Sequence, residues 1–202
     1  MASYKLVLLL VCVSSCVWAR TLKETGVGDR EGPGCVDTDP AQNYMNQYYE
    51  GVWYEIGRLQ TPGGAFFQAG CHCETTYFTS PSPDVGDGEA TYTCRKDGPN
   101  GELTSATADL HQDGAAGHFK QQFRYPLSPS LDYTIIYIDQ DTAVEYDCGT
   151  NRLDVTNYCV HFMSRTPTMD TDKLQQLVLY AESLGLNNQN LNFTATKQEG
   201  CW

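Results

Sequence analysis

Eight β-favouring runs joined mostly by short turns, with one amphipathic helix after them, predict an all-β fold. The strands are expected to form an eight-stranded up-and-down antiparallel barrel with one C-terminal α-helix packed outside. The runs are Val52–Leu59, Cys71–Thr79, Ala90–Lys96, Glu102–Leu110, His118–Tyr125, Asp132–Ile138, Ala143–Cys148 and Thr156–Ser164. Between them lie Asp87-Gly88, Asp97-Gly98, Asn100-Gly101 and Asp113-Gly114, pairs that tolerate the positive φ of tight hairpins. Leu174, Leu177, Val178, Ala181 and Leu184 then recur at helical spacing, forming one apolar stripe. Asp170 or Thr171 is placed to cap its start, and Gly185 stands where a left-handed residue ends a helix.

Ahead of the strands, Lys5, the apolar run Leu6–Val17 and the small residues Val17 and Ala19 read as a secretory signal over residues 1–19. Residues 20–34 read as a loose polar arm, and 35–202 as a single domain without repeat or linker. The chain is therefore expected to be secreted and extracellular. Asn192-Phe193-Thr194 is a sequon suited to that compartment, so Asn192 is a candidate glycosylation site.

Composition narrows the partners. In 202 residues, 25 acidic side chains face 13 basic ones, for a formal net charge of −12, and no basic run occurs. Such a chain repels nucleic acid and anionic membrane surfaces, and no apolar stretch is long enough for membrane insertion.

Gly51-Val52-Trp53 at the start of the first run and Ser164-Arg165 at the end of the last resemble the first and third signatures of the lipocalins. The stretch from Ile138 to Cys148 resembles the second signature mainly in its Tyr-x-Cys ending. The resemblance implies that Arg165 caps the indole of Trp53 at the closed end of the barrel, next to Gly51. Removal of Cys12 and Cys16 with the leader leaves Cys35, Cys71, Cys73, Cys94, Cys148, Cys159 and Cys201, an odd number in an oxidising compartment. Their placement resembles the group of apolipoprotein D, insect bilin-binding proteins such as insecticyanin, and crustacyanins. By that likeness Cys35 pairs with Cys148, and Cys73 (or Cys71) with Cys201. The remaining cysteines cannot all pair, so one is free, bonded to another subunit of a homo-oligomer, or attached to a ligand.

The same family pattern places His72, Glu74, Thr76, Phe78, Ala90, Tyr92, Thr134, Ile136, Ala143, Glu145, Cys159, His161 and Met163 inside the barrel. Of these, Phe78, Tyr92, Thr134, Ile136, Glu145, His161 and Met163 are the expected ligand-binding set. They describe a mixed cavity for a small hydrophobic molecule with polar ends. Glu145 and His161 are expected either to satisfy each other or water inside the barrel, or to meet a ligand's polar group. The resemblance implies a pigment carrier holding a carotenoid or a biliverdin-type bilin. The alternatives are a colourless lipid or steroid carrier, and an inhibitor acting through the mouth loop Thr61–Phe67.

No catalytic residue is expected, since Gly-x-Ser-x-Gly, His-Glu-x-x-His and phosphate-loop motifs are all missing from the sequence. Cys71 and Cys73, expected to face outward, would not serve as nucleophiles within the barrel. Metal binding is not expected either. Cys71-His72-Cys73 carries ligand types, but His72 points opposite to both thiols and no second cluster completes a set. Haem would have to use His72 or His161 alone.

Overall fold

The computed structural model describes residues 34–151 and 153–202, apart from the side chain of Phe66. The expected leader and, except for Gly34, the expected arm lie outside the described residues. In chain order the elements are α1 (Asn46–Tyr49), β1 (Gly51–Gln60), β2 (Cys71–Thr79), β3 (Gly88–Lys96) and β4 (Leu103–Gln112). Then come β5 (His118–Phe123), β6 (Ser130–Ile138), β7 (Thr142–Thr150), β8 (Thr156–Ser164), α2 (Thr171–Ser183) and β9 (Thr194–Ala195). Each of β1 to β8 pairs antiparallel with its sequence neighbour, and β8 returns to β1, so the eight strands close into a barrel.

Closure separates two sets of side chains. Trp53, Phe78, Ala90, Tyr92, Ala108, Leu110, Phe119, Phe123, Tyr133, Ile135, Ala143 and Met163 form the inner cluster. Leu59, Ile136, Val144, Tyr146, Val160 and Phe162 form an outer cluster under Leu177 and Ala181 of α2. The helix starts at Asp170, whose side chain accepts a hydrogen bond from the Lys173 amide at 3.0 Å, and it is followed by Gly185 at φ +78°.

Strand β6 corrects the expected orientation of Thr134 and Ile136. Ile135 stands opposite Glu145 and Tyr133 opposite Asp147, so Tyr133 and Ile135 point inward. Thr134 stands opposite Tyr146 and bonds the His118 ring, while Ile136 packs in the outer cluster at an irregularity between Ile135 and Tyr137. Because α2 covers this part of the barrel, β6 is apolar on both faces, and hydrophobic alternation could not set its phase.

The closed end is built around Trp53. Its indole is fully buried, stacks on Tyr49 at 5.5 Å and donates from Nε1 to the Tyr49 carbonyl at 2.7 Å. Cζ of Arg165 lies 3.6 Å from the indole centroid, and the guanidinium donates to the carbonyls of Val52, Tyr48 and Glu50 at 2.8–2.9 Å. Gly51 fits here at φ +97°, a conformation that strains any other residue, with Arg165 close by. The adjoining turn depends on Asp139, which accepts from the Asp141 and Thr142 amides, the Tyr137 hydroxyl and Lys173 Nζ at 2.7–3.0 Å. Burial alone would raise the pKa of this carboxyl, but Lys173, Thr142 and Tyr137 pull it well below the usual carboxylate range.

At the other end the barrel has a seam. β1 pairs with β2 only over Gly51–Tyr54, and farther along it pairs with β9 at Gly57 and Arg58. The C-terminal segment fills the gap. Thr196 donates its amide to Ile56, Lys197 accepts from the Cys73 amide, and Gln198 donates to the carbonyls of Glu55 and Glu74. Cys73–Cys201 fastens this segment to β2, and Cys35–Cys148 fastens the N-terminal segment to β7. Cys71 bonds Cys94, which shares the inner face of β3 with Ala90 and Tyr92, so Cys71 faces the barrel mouth and not the outside. Cys159 is free and buried.

Arg165→Ala removes a cation–π contact and three hydrogen bonds and should destabilise the fold by about 2 kcal/mol in urea denaturation. In a Trp202→Phe background, Trp53 emission should be blue-shifted and resist collisional quenchers, and Arg165→Ala should move it to the red. Non-reducing peptide mapping should recover Cys35–Cys148, Cys71–Cys94 and Cys73–Cys201, with Cys159 as the one of these seven open to alkylation after unfolding.

Candidate functional site

Halfway up the barrel, charged side chains replace the aromatic packing. On β1, Glu55 follows Trp53 by two residues and so shares its inward face, and Arg58 joins that face after the irregularity between Glu55 and Gly57. Arg58 bonds Glu55, reaches Glu74 of β2 at 3.1 Å and donates to the Gln68 carbonyl at 3.4 Å. Gln68, in the short helical turn Phe66–Gln68, donates to Glu74. All four side chains are almost completely buried.

This cluster separates the two glutamates in charge. Burial raises the pKa of Glu55, but His161, Arg58 and Thr196 outweigh it and bring it down to about 2. For Glu74, burial and then the negative charge of Glu55 prevail over Arg58, raising the pKa to about 8. One carboxylate therefore keeps its charge across the neutral range, and the other holds a proton.

On the neighbouring strand β8, directly opposite Arg58, His161 donates or accepts at both ring nitrogens. Nδ1 lies 2.7 Å from Glu55 Oε2, and Nε2 lies 2.9 Å from Asp147 Oδ2 of β7. Burial disfavours the imidazolium, yet the adjacent Cys159 thiol and the two carboxylates hold its pKa well above the usual histidine value. Burial raises the Cys159 thiol to about 12 against the pull of His161.

Glu145 stands opposite His161 in the strand pairing, but the two are not hydrogen-bond partners. Glu145 instead accepts from the Tyr49 hydroxyl, which lies 2.8 Å from the Tyr133 hydroxyl. Its second oxygen, Oε2, is buried and has no hydrogen-bond partner among the described residues. Burial raises the pKa of Glu145, and the positive field of His161 opposes it.

The expected inward residues divide accordingly. Phe78, Tyr92, Glu145, His161 and Met163 lie on the inner face, as do Glu74, Thr76, Ala90, Ala143 and Cys159, whereas Thr134 and Ile136 do not. His72 is only partly buried, cut off from Glu74 by the pairing irregularity around Cys73, which has φ +59°. Tyr49, Tyr133, Glu55, Arg58 and Asp147 were not anticipated. Spacing from Trp53 would have identified Glu55, and spacing from Glu145 would have identified Asp147. Asn192 is exposed, so a glycan could attach.

The mixed walls enclose less space than a cavity of that composition suggests. At the mouth, Phe67 packs its ring on Phe123 and Tyr92 at 5.0 and 5.9 Å. Beneath it remains a void of about 20 Å³ bordered by Tyr92, Gln121, Leu131, Asp147 and His161. Above it, a cleft of about 90 Å³ opens between Gly63, Phe123, Tyr125, Pro129 and Gly149.

A family model described as a lipocalin-like domain matches residues 46–196. The chain belongs to the lipocalin family. Lobster apocrustacyanin A1 superposes with a TM-score of 0.62 at 16% identity, over 83% of this chain and 91% of that one. Insecticyanin from the tobacco hornworm Manduca sexta superposes with a TM-score of 0.61 at 15% identity, over 86% and 91%. No curated protein matches the chain in sequence.

In this lipocalin the raised Glu74 makes stability depend on pH with a definite sign. Folded Glu74 keeps its proton up to about pH 8, whereas the unfolded carboxyl loses it near its ordinary value. Between those limits the folded state binds more protons, so stability falls as pH rises. Glu74→Gln mimics the protonated form and should flatten that decline. Urea midpoints at about pH 5 and 8 should differ less in the variant than in the parent protein.

Proposed function

We propose that this lipocalin is a secreted carrier of a small hydrophobic chromophore, a carotenoid or a biliverdin-type bilin. The observation that carries this reading is Oε2 of Glu145, which no described residue bonds and which is fully buried among Tyr49, Tyr133, Phe78 and Tyr92. A buried acceptor without a partner costs on the order of 1–3 kcal/mol, which a ligand's polar group would recover. As a carboxylate, Glu145 accepts from a pyrrole N–H of a bilin. As a carboxylic acid, it donates to the keto group of a carotenoid. In either case it polarises the conjugated system. The cysteine pattern shared with pigment-binding lipocalins supports the same reading, as does the structural likeness to crustacyanin and insecticyanin.

Entry is from the mouth. Phe67 fills the space such a ligand needs and follows Gly63-Gly64, so displacing its ring is the step that admits a chromophore. Phe78, Tyr92 and Met163 would then line the bound molecule, with Glu145 and His161 at its polar end.

Titration with biliverdin and with a carotenoid tests this. One of them should bind and acquire a shifted visible band. Glu145→Gln should move that band with the far-ultraviolet circular dichroism unchanged, and Phe67→Ala should speed association by removing the ring that must be displaced. If neither pigment binds but a colourless retinoid or steroid does, the protein is a colourless carrier. If none binds, the carrier reading falls, and the mouth loop Thr61–Phe67 becomes the place to seek a protein partner.

A further inference from the structure

Six of the cysteines in the described residues are paired, and Cys159 is left as a free thiol inside the barrel. Cys159 and His161 are two residues apart on β8 and so share its inner face, while Asp147 stands opposite Cys159 in the pairing with β7. One sulfur, one imidazole nitrogen and one carboxylate oxygen therefore converge, with their ligand atoms all within 4.8 Å of one another and all three residues buried. His161 Nε2 lies 2.9 Å from Asp147 Oδ2, and Cys159 Sγ lies 3.8 Å from His161 Nδ1.

Bonds of about 2.0–2.3 Å to a tetrahedral ion hold neighbouring donors roughly 3.3–3.7 Å apart, so Asp147 stands close to donor spacing from Nε2. The Cys159 thiol, now beside the Nδ1 that Glu55 engages, must turn toward Nε2 to share its ion. The surroundings also match such a site. Glu55 accepts from Nδ1 of His161 at 2.7 Å, the contact that commonly orients a ligating histidine, and Glu55 is itself held by Arg58 and Thr196. The void of about 20 Å³ borders both Asp147 and His161, enough for one water at a fourth position.

We infer that Asp147, Cys159 and His161 form a three-donor site for a divalent transition-metal ion of the zinc class, with Glu55 orienting the histidine and the fourth position open to the void. The mixture of thiolate, imidazole and carboxylate selects such an ion over calcium or magnesium, which prefer oxygen alone. Binding releases the thiol proton, and the proton held between His161 and Asp147, to solvent. The site does not rest on the chromophore reading.

Cobalt(II) titration of the full chain with its disulfides intact tests the site without any pigment. One ion should bind per chain, giving a thiolate-to-cobalt charge-transfer band in the near ultraviolet and tetrahedral bands in the visible, all removed by zinc. Cys159→Ser should abolish the near-ultraviolet band, and Glu55→Gln should weaken binding about 10–100-fold. Cobalt spectra that lack the thiolate band, or that are the same in Cys159→Ser, would overturn the inference. Should that variant not fold, alkylation of Cys159 in the parent protein decides. Zinc should slow the labelling and a chelator should restore it, whereas labelling indifferent to zinc defeats the proposal.

Discussion

The barrel depends on the pairing of Arg58 with Glu55 inside it. Both groups are almost completely buried, and an ion of either sign taken alone into an interior of low dielectric costs several kcal/mol. Their mutual attraction does not by itself recover that cost, so the remaining donors and acceptors must also be matched. Each match comes from a different part of the chain. Gln68 and its carbonyl come from the mouth loop, Glu74 from β2, His161 from β8 and Thr196 from the C-terminal segment. The segment that seals the seam between β1 and β2 thus also supplies a hydroxyl to Glu55. Closure of the barrel and neutralisation of its interior are one event, and the Cys73–Cys201 bridge secures both.

What the sequence discloses follows from which forces have a period. Alternation and turn chemistry revealed all eight barrel strands, and the 3.6-residue stripe revealed α2, because in each case burial repeats at the spacing of the backbone. The four-residue α1 and the two-residue β9 are too short to carry a period and owe their conformations to tertiary partners. β6 has apolar side chains on both faces, and so its phase was open to an error of one residue. The pairing of Cys71 with Cys94 was equally hidden, since it depends on how the mouth ends of β2 and β3 are registered. The site was legible in part. Glu145 and His161 could be placed from strand position, and so could Asp147 beside Glu145 on β7, but Glu55 on β1, Tyr49 of α1 and Tyr133 on β6 join them only when the barrel closes.

The interior is divided along its length. At the closed end, Tyr49, Trp53 and Phe78 make a dry aromatic floor, and near the mouth Phe67, Tyr92 and Phe123 make a second aromatic layer. Between them lie the charged groups and the tyrosine–glutamate chain from Tyr133 through Tyr49 to Glu145. This order matters energetically, because charges in the middle layer are screened from water by aromatic rings on both sides, which strengthens every interaction among them. The separation of Glu55 and Glu74 to opposite sides of neutrality is one consequence.

The same layering governs how an apolar guest would bind. Entering through the mouth, it exchanges the contacts of Phe67 with Phe123 and Tyr92 for contacts of its own. The apolar gain is therefore a difference between two similar burials and not the whole of the guest's buried area. Discrimination then falls to the middle layer, where a guest must present groups that suit fixed, desolvated partners. A site built from unmatched buried polar atoms rejects molecules lacking the complementary group more strongly than an apolar wall rejects a misfit in length. On the proposed reading, the Glu145 oxygen that no described residue bonds would set that requirement, and the aromatic layers would ask only that the guest be flat and apolar enough to pass between them.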